Sequence, residues 1–278
     1  WWLIGEATPA RLPNMLVGRA LRSPYAHAKI ISIDTSKAEK LEGVKAIITS
    51  ADFEDFPSEF VPNGEMVVNM KDITRNVMAR EKVLYVGHTL AAVAATDEDV
   101  AEKALALIDV KYDVLPHVLE VEDAEKSDAP LLHDDMITIG VEPMPTSASN
   151  VAKRVEFGLG DVEKGFSEAD LIVEREFTTQ QVHQGYIEPH ACLASVSEDG
   201  QAELWCTTQG PFVVRNFCSK LLGFNAAQIR VTASEIGGGF GGKTVVYLEP
   251  LALALSRKSC RPVKMEMNRA EVFTSSGP

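Results

Sequence analysis

The chain has 278 residues, 45% hydrophobic and 24% charged, a composition typical of globular proteins that can form two cores. The formal net charge of −13 argues against binding to nucleic acid or to an anionic membrane surface. No apolar run approaches the roughly 20 residues of a membrane-spanning helix, and no signal peptide precedes the first predicted strand, so we expect a cytoplasmic protein.

The first region alternates short strands with two helices. Ser36 and Glu39 have capping-box spacing for a short helix, and Thr96 is predicted to cap a longer helix over 97–107. Residues 51–80 lack a clean period, and we predict an irregular segment there. This mixture predicts an α+β domain that ends near residue 124. Its predicted strands are 12–22, 28–34, 44–49, 82–86, 89–95 and 109–112.

The composition changes after this domain. Residues 125–150 are rich in Asp, Pro and Ser, which is typical of a linker. A second domain, 151–278, is predicted to begin with a capped helical turn over 160–166. Its further elements are strands at 171–178, 191–196, 202–207 and 228–236 and helices at 212–222 and 245–255.

The four cysteines include no CxxC pair, which excludes a zinc knuckle or an iron–sulfur cluster carried by this chain alone. We therefore predict reduced, packed thiols. These cysteines are Cys192, Cys206, Cys218 and Cys260.

A glycine-rich turn lies between a predicted strand and a predicted helix, an arrangement that directs backbone N–H groups at an anion. It fits both a dinucleotide fingerprint and a Walker A phosphate loop. The chain shows no later strand ending in a magnesium-binding Asp, and Glu266 follows a strand of mixed polarity, so neither fingerprint is complete. The turn reads Gly237-Gly238-Gly239-Phe240-Gly241-Gly242-Lys243-Thr244.

Polar residues upstream of the turn are further candidates. Glu188 lies between apolar neighbours, so its carboxylate needs hydrogen-bonding or charged partners. Such a residue can support a binding site without contacting the ligand itself. His183 and His190 are seven positions apart, a weak metal pattern, and we expect satisfied interior or rim side chains. Gln209 can point into a crevice as a neutral donor or be an ordinary loop amide, and Lys243 can contact an anion or be solvated.

Several motifs, in the same order along nearly the whole chain, resemble the molybdenum-cofactor subunit of the molybdenum hydroxylases. That family includes xanthine dehydrogenase, aldehyde oxidoreductase, nicotinate dehydrogenase, 4-hydroxybenzoyl-CoA reductase and carbon monoxide dehydrogenase. The motifs are Leu12-Pro13-Asn14-Met15, Arg22-Ser23-Pro24-Tyr25-Ala26-His27-Ala28, Val86-Gly87, Leu90-Ala91-Ala92-Val93, Tyr112-Asp113-Val114-Leu115-Pro116, Gly160-Asp161-Val162, Tyr186-Ile187-Glu188-Pro189-His190, the glycine turn, and Ser256-Arg257 with Arg261-Pro262-Val263-Lys264.

The resemblance implies an α/β hammerhead domain at 1–124 and the first part of a mixed α+β molybdopterin-binding domain at 151–278. It implies that Gln209 hydrogen-bonds an oxygen ligand of molybdenum, while no protein side chain ligates the metal directly. Gly238, Gly239, Phe240 and Gly241 would approach the cofactor through backbone amides, with Glu188 behind them. Thr244 stands where purine-oxidising members carry a substrate-binding glutamate, which argues against purine hydroxylation.

The resemblance also implies an activity and partners. The cofactor would be molybdopterin, in its simple or its cytosine dinucleotide form, with iron–sulfur clusters and FAD on partner subunits. The substrate would be an N-heterocycle or an aldehyde, oxidised with water as the oxygen source. The family's general-base glutamate is not in this sequence, so a complementary molybdopterin-binding chain or a further region would complete the site. The alternatives are a P-loop nucleotide hydrolase using Lys243 and Thr244, or a non-catalytic assembly module.

Overall fold

The computed structural model describes residues 11–63 and 66–276. The main chain divides into two compact units: one contains the N-terminal residues up to Leu115 together with residues from His183 onward, and the other contains residues 116–182. The described strands are β1 (Leu16–Arg22), β2 (Ala28–Asp34), β3 (Val44–Ile48), β4 (Phe60–Asn63), β5 (Met66–Asn69), β6 (Lys82–Val83), β7 (Thr89–Ala95), β8 (Asp109–Val114), β9 (Ala191–Val196), β10 (Ala202–Cys206), β11 (Ile229–Ala233) and β12 (Val263–Glu266).

Helices alternate with these strands, which confirms the predicted α+β class. Two 3₁₀ turns lie at Ser50–Asp52 and Ala226–Gln228. The described α-helices are α1 (Ser36–Glu39), α2 (Met70–Val77), α3 (Glu98–Leu107), α4 (Val121–Ala124), α5 (Val162–Glu168), α6 (Pro211–Leu222), α7 (Glu249–Ser259) and α8 (Arg269–Ser275).

A seven-stranded mixed sheet in the order β11-β10-β9-β12-β1-β7-β3 forms the centre of the first unit. The pairs β10–β11 and β1–β12 are parallel, and the other neighbours are antiparallel. Leu16 pairs with Val263 in the β1–β12 register, so segments far apart in the chain lie side by side. A three-stranded sheet, β6-β2-β8, and a hairpin, β4-β5, complete the strand pairing.

The core covers both faces of this sheet. On one face, Phe217 of α6 and Leu251 of α7 pack in a cluster that includes Leu204 of β10. On the other face, Ala101 and Ala104 of α3 pack against alternate residues of β7. Every residue of β7 is buried, as a central strand covered on both faces requires.

The second unit, described by itself, has little regular structure. Asn150 organises its first half: its side-chain oxygen accepts from the Leu132 N–H, and its side-chain nitrogen donates to the carbonyls of Ala124 and Pro130. The predicted helical turn is confirmed as α5, capped by Asp161 through the N–H of Lys164. None of the residues of α5 is buried.

Several predicted elements are confirmed, and four details are wrong. The bounds of β2 and β9 match the prediction, whereas 51–80 is not irregular: it contains β4, β5 and α2. Residues 171–178 form no regular secondary structure and pair with no strand of the described chain. Helix α7 begins only at Glu249, because Pro250 favours the first helical turn.

The fourth wrong detail is the capping residues. Asp97, and not Thr96, accepts the N–H of Val100 at the start of α3, while α1 has Thr35 before it and no side-chain cap.

No helix within 11–63 or 66–276 is long and apolar enough to cross a membrane.

Candidate functional site

The glycine turn lies between β11 and α7, and three of its residues have left-handed backbone conformations. The φ angles are +102° at Gly238, +50° at Phe240 and +91° at Gly241. Glycine adopts this region freely, whereas a residue with a Cβ does so at a cost of roughly 1–2 kcal/mol. The exposed Phe240 is therefore held in an unfavourable conformation by its surroundings.

Close packing explains the other glycines. A Cβ on Gly239 would lie 2.5 Å from Oε1 of Gln209, and one on Gly242 would lie 2.7 Å from Cε1 of Tyr186. A Cβ on Gly237 would lie 2.8 Å from Cβ of Glu188. The turn therefore packs directly against the two clusters that the sequence singled out, those around Glu188 and Gln209.

Gln209 follows β10 and contacts the turn through both its main chain and its side chain. Its backbone N–H donates to the carbonyl of Lys243 at 2.8 Å. Its Oε1 accepts the N–H groups of Gly241 at 3.1 Å and of Lys243 at 3.2 Å. Because two donors face the oxygen, the orientation of the carboxamide is fixed. Its Nε2 has no hydrogen-bond partner in the described part of the chain and is available to a ligand oxygen.

Three consecutive backbone amides of the turn are also available. Within the described residues, the N–H groups of Gly238, Gly239 and Phe240 donate to no protein acceptor. Adjacent unpaired N–H groups in a turn with left-handed residues form an anion-binding concavity. These donors, together with Nε2 of Gln209, fit the oxygen atoms of an anionic cofactor.

Glu188 and Lys243 form a buried ion pair behind the turn. Nζ of Lys243 lies 2.7 Å from Oε2 of Glu188, and the Lys243 side chain is 0% exposed. The same carboxylate oxygen accepts the N–H of Gly237 at 2.8 Å. Burial lowers the pKa of Lys243, and the hydrogen bond and charge of Glu188 oppose that shift. The pair thus ties both ends of the turn to the segment that precedes β9.

This arrangement corrects the prediction for Lys243, whose side chain is neither solvated nor directed at a ligand but is buried against the carboxylate of Glu188. The hydroxyl of Thr244 donates to the carbonyl of Gly241 at 2.9 Å. A phosphate loop instead uses a lysine that reaches the phosphates, a hydroxyl that binds magnesium, and a helix that follows the loop directly. In this turn the lysine is buried against Glu188, and no helix follows directly because α7 begins only at Glu249.

A polar network that the sequence did not predict adjoins the ion pair. The hydroxyl of Tyr186 lies 2.6 Å from Nε2 of His190 and 2.9 Å from Oγ of Ser276. Arg269 donates to the carbonyls of Tyr186 and Ile187. Burial lowers the pKa of His190 to about 3, so its ring is neutral. Arg269 and Ser276 lie far along the chain from Tyr186 and His190, so no sequence pattern could predict that they join this network. The sequence indicated only the cluster of polar residues from Tyr186 to His190.

The prediction of packed thiols is confirmed for three of the four cysteines and is wrong for Cys260. Cys192, Cys206 and Cys218 are buried free thiols whose pKa values are raised by burial, and Cys260 is exposed. Nδ1 of His183 accepts the N–H of Gly185 at 3.0 Å. The described residues include no group of three or more His, Cys, Asp or Glu side chains that could hold a metal ion.

Comparison with known proteins assigns both regions. The family described as the aldehyde oxidase and xanthine dehydrogenase a/b hammerhead domain matches residues 8–116. The family described as the molybdopterin cofactor-binding domain matches residues 144–278 and contains the glycine turn, Gln209 and Glu188. The chain therefore carries a hammerhead domain of the aldehyde oxidase and xanthine dehydrogenase type and a molybdopterin cofactor-binding domain.

Individual relatives narrow that class. A probable xanthine dehydrogenase subunit of Bacillus subtilis is 35% identical over 96% of this chain and 33% of its own length. The carbon monoxide dehydrogenase large chain of Afipia carboxidovorans is 36% identical over 85% of this chain and 29% of its own length. The chain belongs to the molybdenum hydroxylase family, and it spans about a third of the length of these relatives.

Solved structures agree with this assignment. Reconstituted CO dehydrogenase from Oligotropha carboxidovorans superposes with a TM-score of 0.81 at 33% identity, over 97% of this chain and 33% of that chain. Quinoline 2-oxidoreductase from Pseudomonas putida 86 gives 0.80 at 29% identity, over 96% of this chain and 33% of that chain. The predicted order of a hammerhead domain followed by a cofactor-binding domain is confirmed.

Proposed function

We propose that this chain forms one wall of the active site of a molybdenum hydroxylase that oxidises an N-heterocycle or an aldehyde. The observation that carries the proposal is the set of unpaired donors at Gly238, Gly239, Phe240 and Nε2 of Gln209. When bound, the molybdenum cofactor supplies the chemistry in which a substrate carbon gains oxygen from water and loses two electrons. The protein's task is to bind and orient that cofactor.

The residues of the turn have separate roles in this proposal. Nε2 of Gln209 donates to a cofactor oxygen, and the N–H groups of Gly238, Gly239 and Phe240 bind the cofactor through the backbone. The N–H of Gly241 holds Oε1 of Gln209 and so directs its Nε2 outward. Phe240, with 76% of its surface exposed, would be available to contact the bound cofactor.

Glu188 acts on the cofactor only through the turn. Its carboxylate fixes the N–H of Gly237 and neutralises Lys243, which carries the turn's last contacts to Gln209. Removal of this carboxylate would let the turn relax and would misplace the amides. Glu188 is therefore a positioning residue.

The proposal extends to the assembled protein. We propose a hammerhead domain at 1–124, a connection at 125–150 and the first part of the cofactor domain at 151–278, in a cytoplasmic complex. A complementary molybdopterin-binding region completes the site, and subunits with iron–sulfur clusters and FAD accept the electrons. The cofactor is molybdopterin or its cytosine dinucleotide form.

The test is metal and pterin analysis of the native complex, with Gln209→Ala as the variant. We expect molybdenum and pterin in the complex, and turnover about 10²-fold lower in the variant, which is a typical cost of removing one oriented donor. Gln201→Ala is the matched control, because this exposed glutamine lies at the far end of β10. An intact complex without molybdenum or pterin would contradict the proposal.

The same samples distinguish the alternatives. Nucleotide and magnesium binding that Lys243→Ala abolishes would identify a phosphate loop. Partner binding without cofactor or nucleotide would identify an assembly module.

A further inference from the structure

The second unit exposes an unusual amount of apolar surface. Every residue from 152 to 182 is exposed, although this stretch contains many large apolar side chains. Leu171 is 80% exposed, Val173 66% and Phe177 87%. A folded chain rarely leaves a contiguous apolar segment in water unless another surface covers it.

The pattern within this segment is that of a strand. In an extended chain Leu171, Val173 and Phe177 lie on one face, which Arg175 interrupts, while Ile172, Glu174 and Glu176 lie on the other. Yet no backbone-to-backbone hydrogen bond joins residues 171–178 to any other described residue. The segment therefore has the composition of a strand, one mainly apolar face, and a main chain that pairs with no other main chain in the described residues.

We propose that residues 171–178 are an interface strand that adds to a sheet in the remaining part of the molybdenum hydroxylase large subunit. By the remaining part we mean the two thirds of the relatives' length that have no counterpart in this chain. This inference rests on the proposed function, since it takes the chain to be one portion of that subunit. Main-chain pairing would supply affinity, and the apolar face would fill pockets on the other side.

Three observations favour the remaining part of the large subunit as the partner of this strand. The match to the cofactor-binding domain begins at residue 144, so the segment is part of that domain and not of the hammerhead domain. Thr178 precedes Tyr186 by eight positions, so the segment leads directly into the residues that hold the turn. Glu174 and Glu176 call for basic or polar residues on the neighbouring strand, because like charges directly opposite one another are unfavourable.

The first experiment measures amide hydrogen exchange in the native complex, purified through a tag on this chain. We expect peptides that cover 171–178 to exchange at least 100-fold more slowly in the complex than the same peptides do in the unfolded chain. Unpaired, exposed backbone would exchange at close to the unfolded rate. Fast exchange at 171–178 in an intact complex would overturn the proposal.

The second experiment changes the faces of the strand separately. Val173→Asp and Phe177→Asp place charges on the mainly apolar face, and we expect each to speed hydrogen exchange of peptides covering 171–178 in the native complex at least tenfold. Glu174→Gln is the matched control on the opposite face and should leave that exchange unchanged. Val173 and Phe177 are largely exposed, at 66% and 87%, so thermal unfolding of all three variants should stay close to that of the parent.

Separate outcomes test the two proposals. A complex that contains molybdenum but exchanges fast at 171–178 refutes the interface strand and leaves the proposed function standing. Protection at 171–178 in a complex without molybdenum or pterin refutes the function and leaves the strand standing. Slow exchange at 171–178 in a complex whose mass fits two copies of this chain alone would show that a second copy, and not the remaining part of the large subunit, pairs with the strand.

Discussion

At the residue scale, the buried cation of Lys243 makes the strongest stability prediction. We expect Lys243→Met to lower the free energy of unfolding by about 3–5 kcal/mol, because the carboxylate of Glu188 stays buried without its counter-ion. The double variant Glu188→Gln, Lys243→Met should recover part of that loss, since neither side chain is then charged. Urea unfolding of the three proteins measures these differences.

The control for this series is Lys45→Met, which removes an exposed lysine. Its expected effect is within about 0.5 kcal/mol, as for most surface substitutions. If Lys243→Met unfolds at the same urea concentration as this control, the ion pair does not hold the turn.

A second residue-scale prediction concerns pH and His190. Burial, and then the charge of Lys243, lower the pKa of His190 from 6.5 to about 3. Between these values the unfolded chain binds a proton that the folded chain does not, so stability is lost as pH falls from 6.5 towards 3. The contribution approaches about 1.4 kcal/mol per pH unit.

His190→Gln removes this proton uptake, so its unfolding free energy should depend less steeply on pH between 4.5 and 6.5 than that of the parent. Urea unfolding at several pH values measures the slope. His117→Gln changes an exposed histidine and should retain the parent slope. Equal slopes for His190→Gln and the parent would show that His190 is not buried as a neutral ring.

At the scale of elements, two helices end in the same backbone conformation with different residues. The residue that follows α6 is Gly223, with φ +67°, and the residue that follows α7 is Cys260, with φ +53°. We expect Gly223→Ala to lose roughly 0.5–1 kcal/mol and Cys260→Gly to gain roughly 0.5 kcal/mol. A Cβ on Gly223 would meet its nearest atom, Oε1 of Glu54, at 3.7 Å, so the effect comes from the backbone. Thermal unfolding measures both, and shifts of the same sign would contradict the argument.

The elements also show what the sequence could predict. Alternation predicted β2 and β9 with the correct bounds, and apolar spacing predicted α6, because local pattern decides those elements. Helix α2 was missed, since Pro57, Pro62 and Gly64 suggested an irregular segment. The ion pair joins residues 55 positions apart, and no local pattern reports such a contact. The glycine-rich composition predicted that the turn has backbone N–H groups available to an anion. The ion pair of Lys243 and the hydrogen bonds that orient Gln209 hold the turn in place, and only the structure revealed them.

At the scale of the whole molecule, the first unit is built from two separate stretches of chain. The parallel β1–β12 register and the packing of α7 against β3 and β7 join the N-terminal stretch to the stretch after His183. The intervening residues 152–182 are exposed throughout. Noncovalent contacts within the first unit should therefore hold these two stretches together even if the chain between them is cut.

Limited trypsin digestion tests this arrangement. Lys153 and Lys164 are exposed, and we expect cleavage there before cleavage in the sheet, because proteases cut segments that open easily. The two large fragments should elute together from a size-exclusion column in native buffer and separate in denaturant, since the β1–β12 hydrogen bonds and the shared core stay intact. Fragments that separate in native buffer would show that the seven-stranded sheet does not hold the two stretches together.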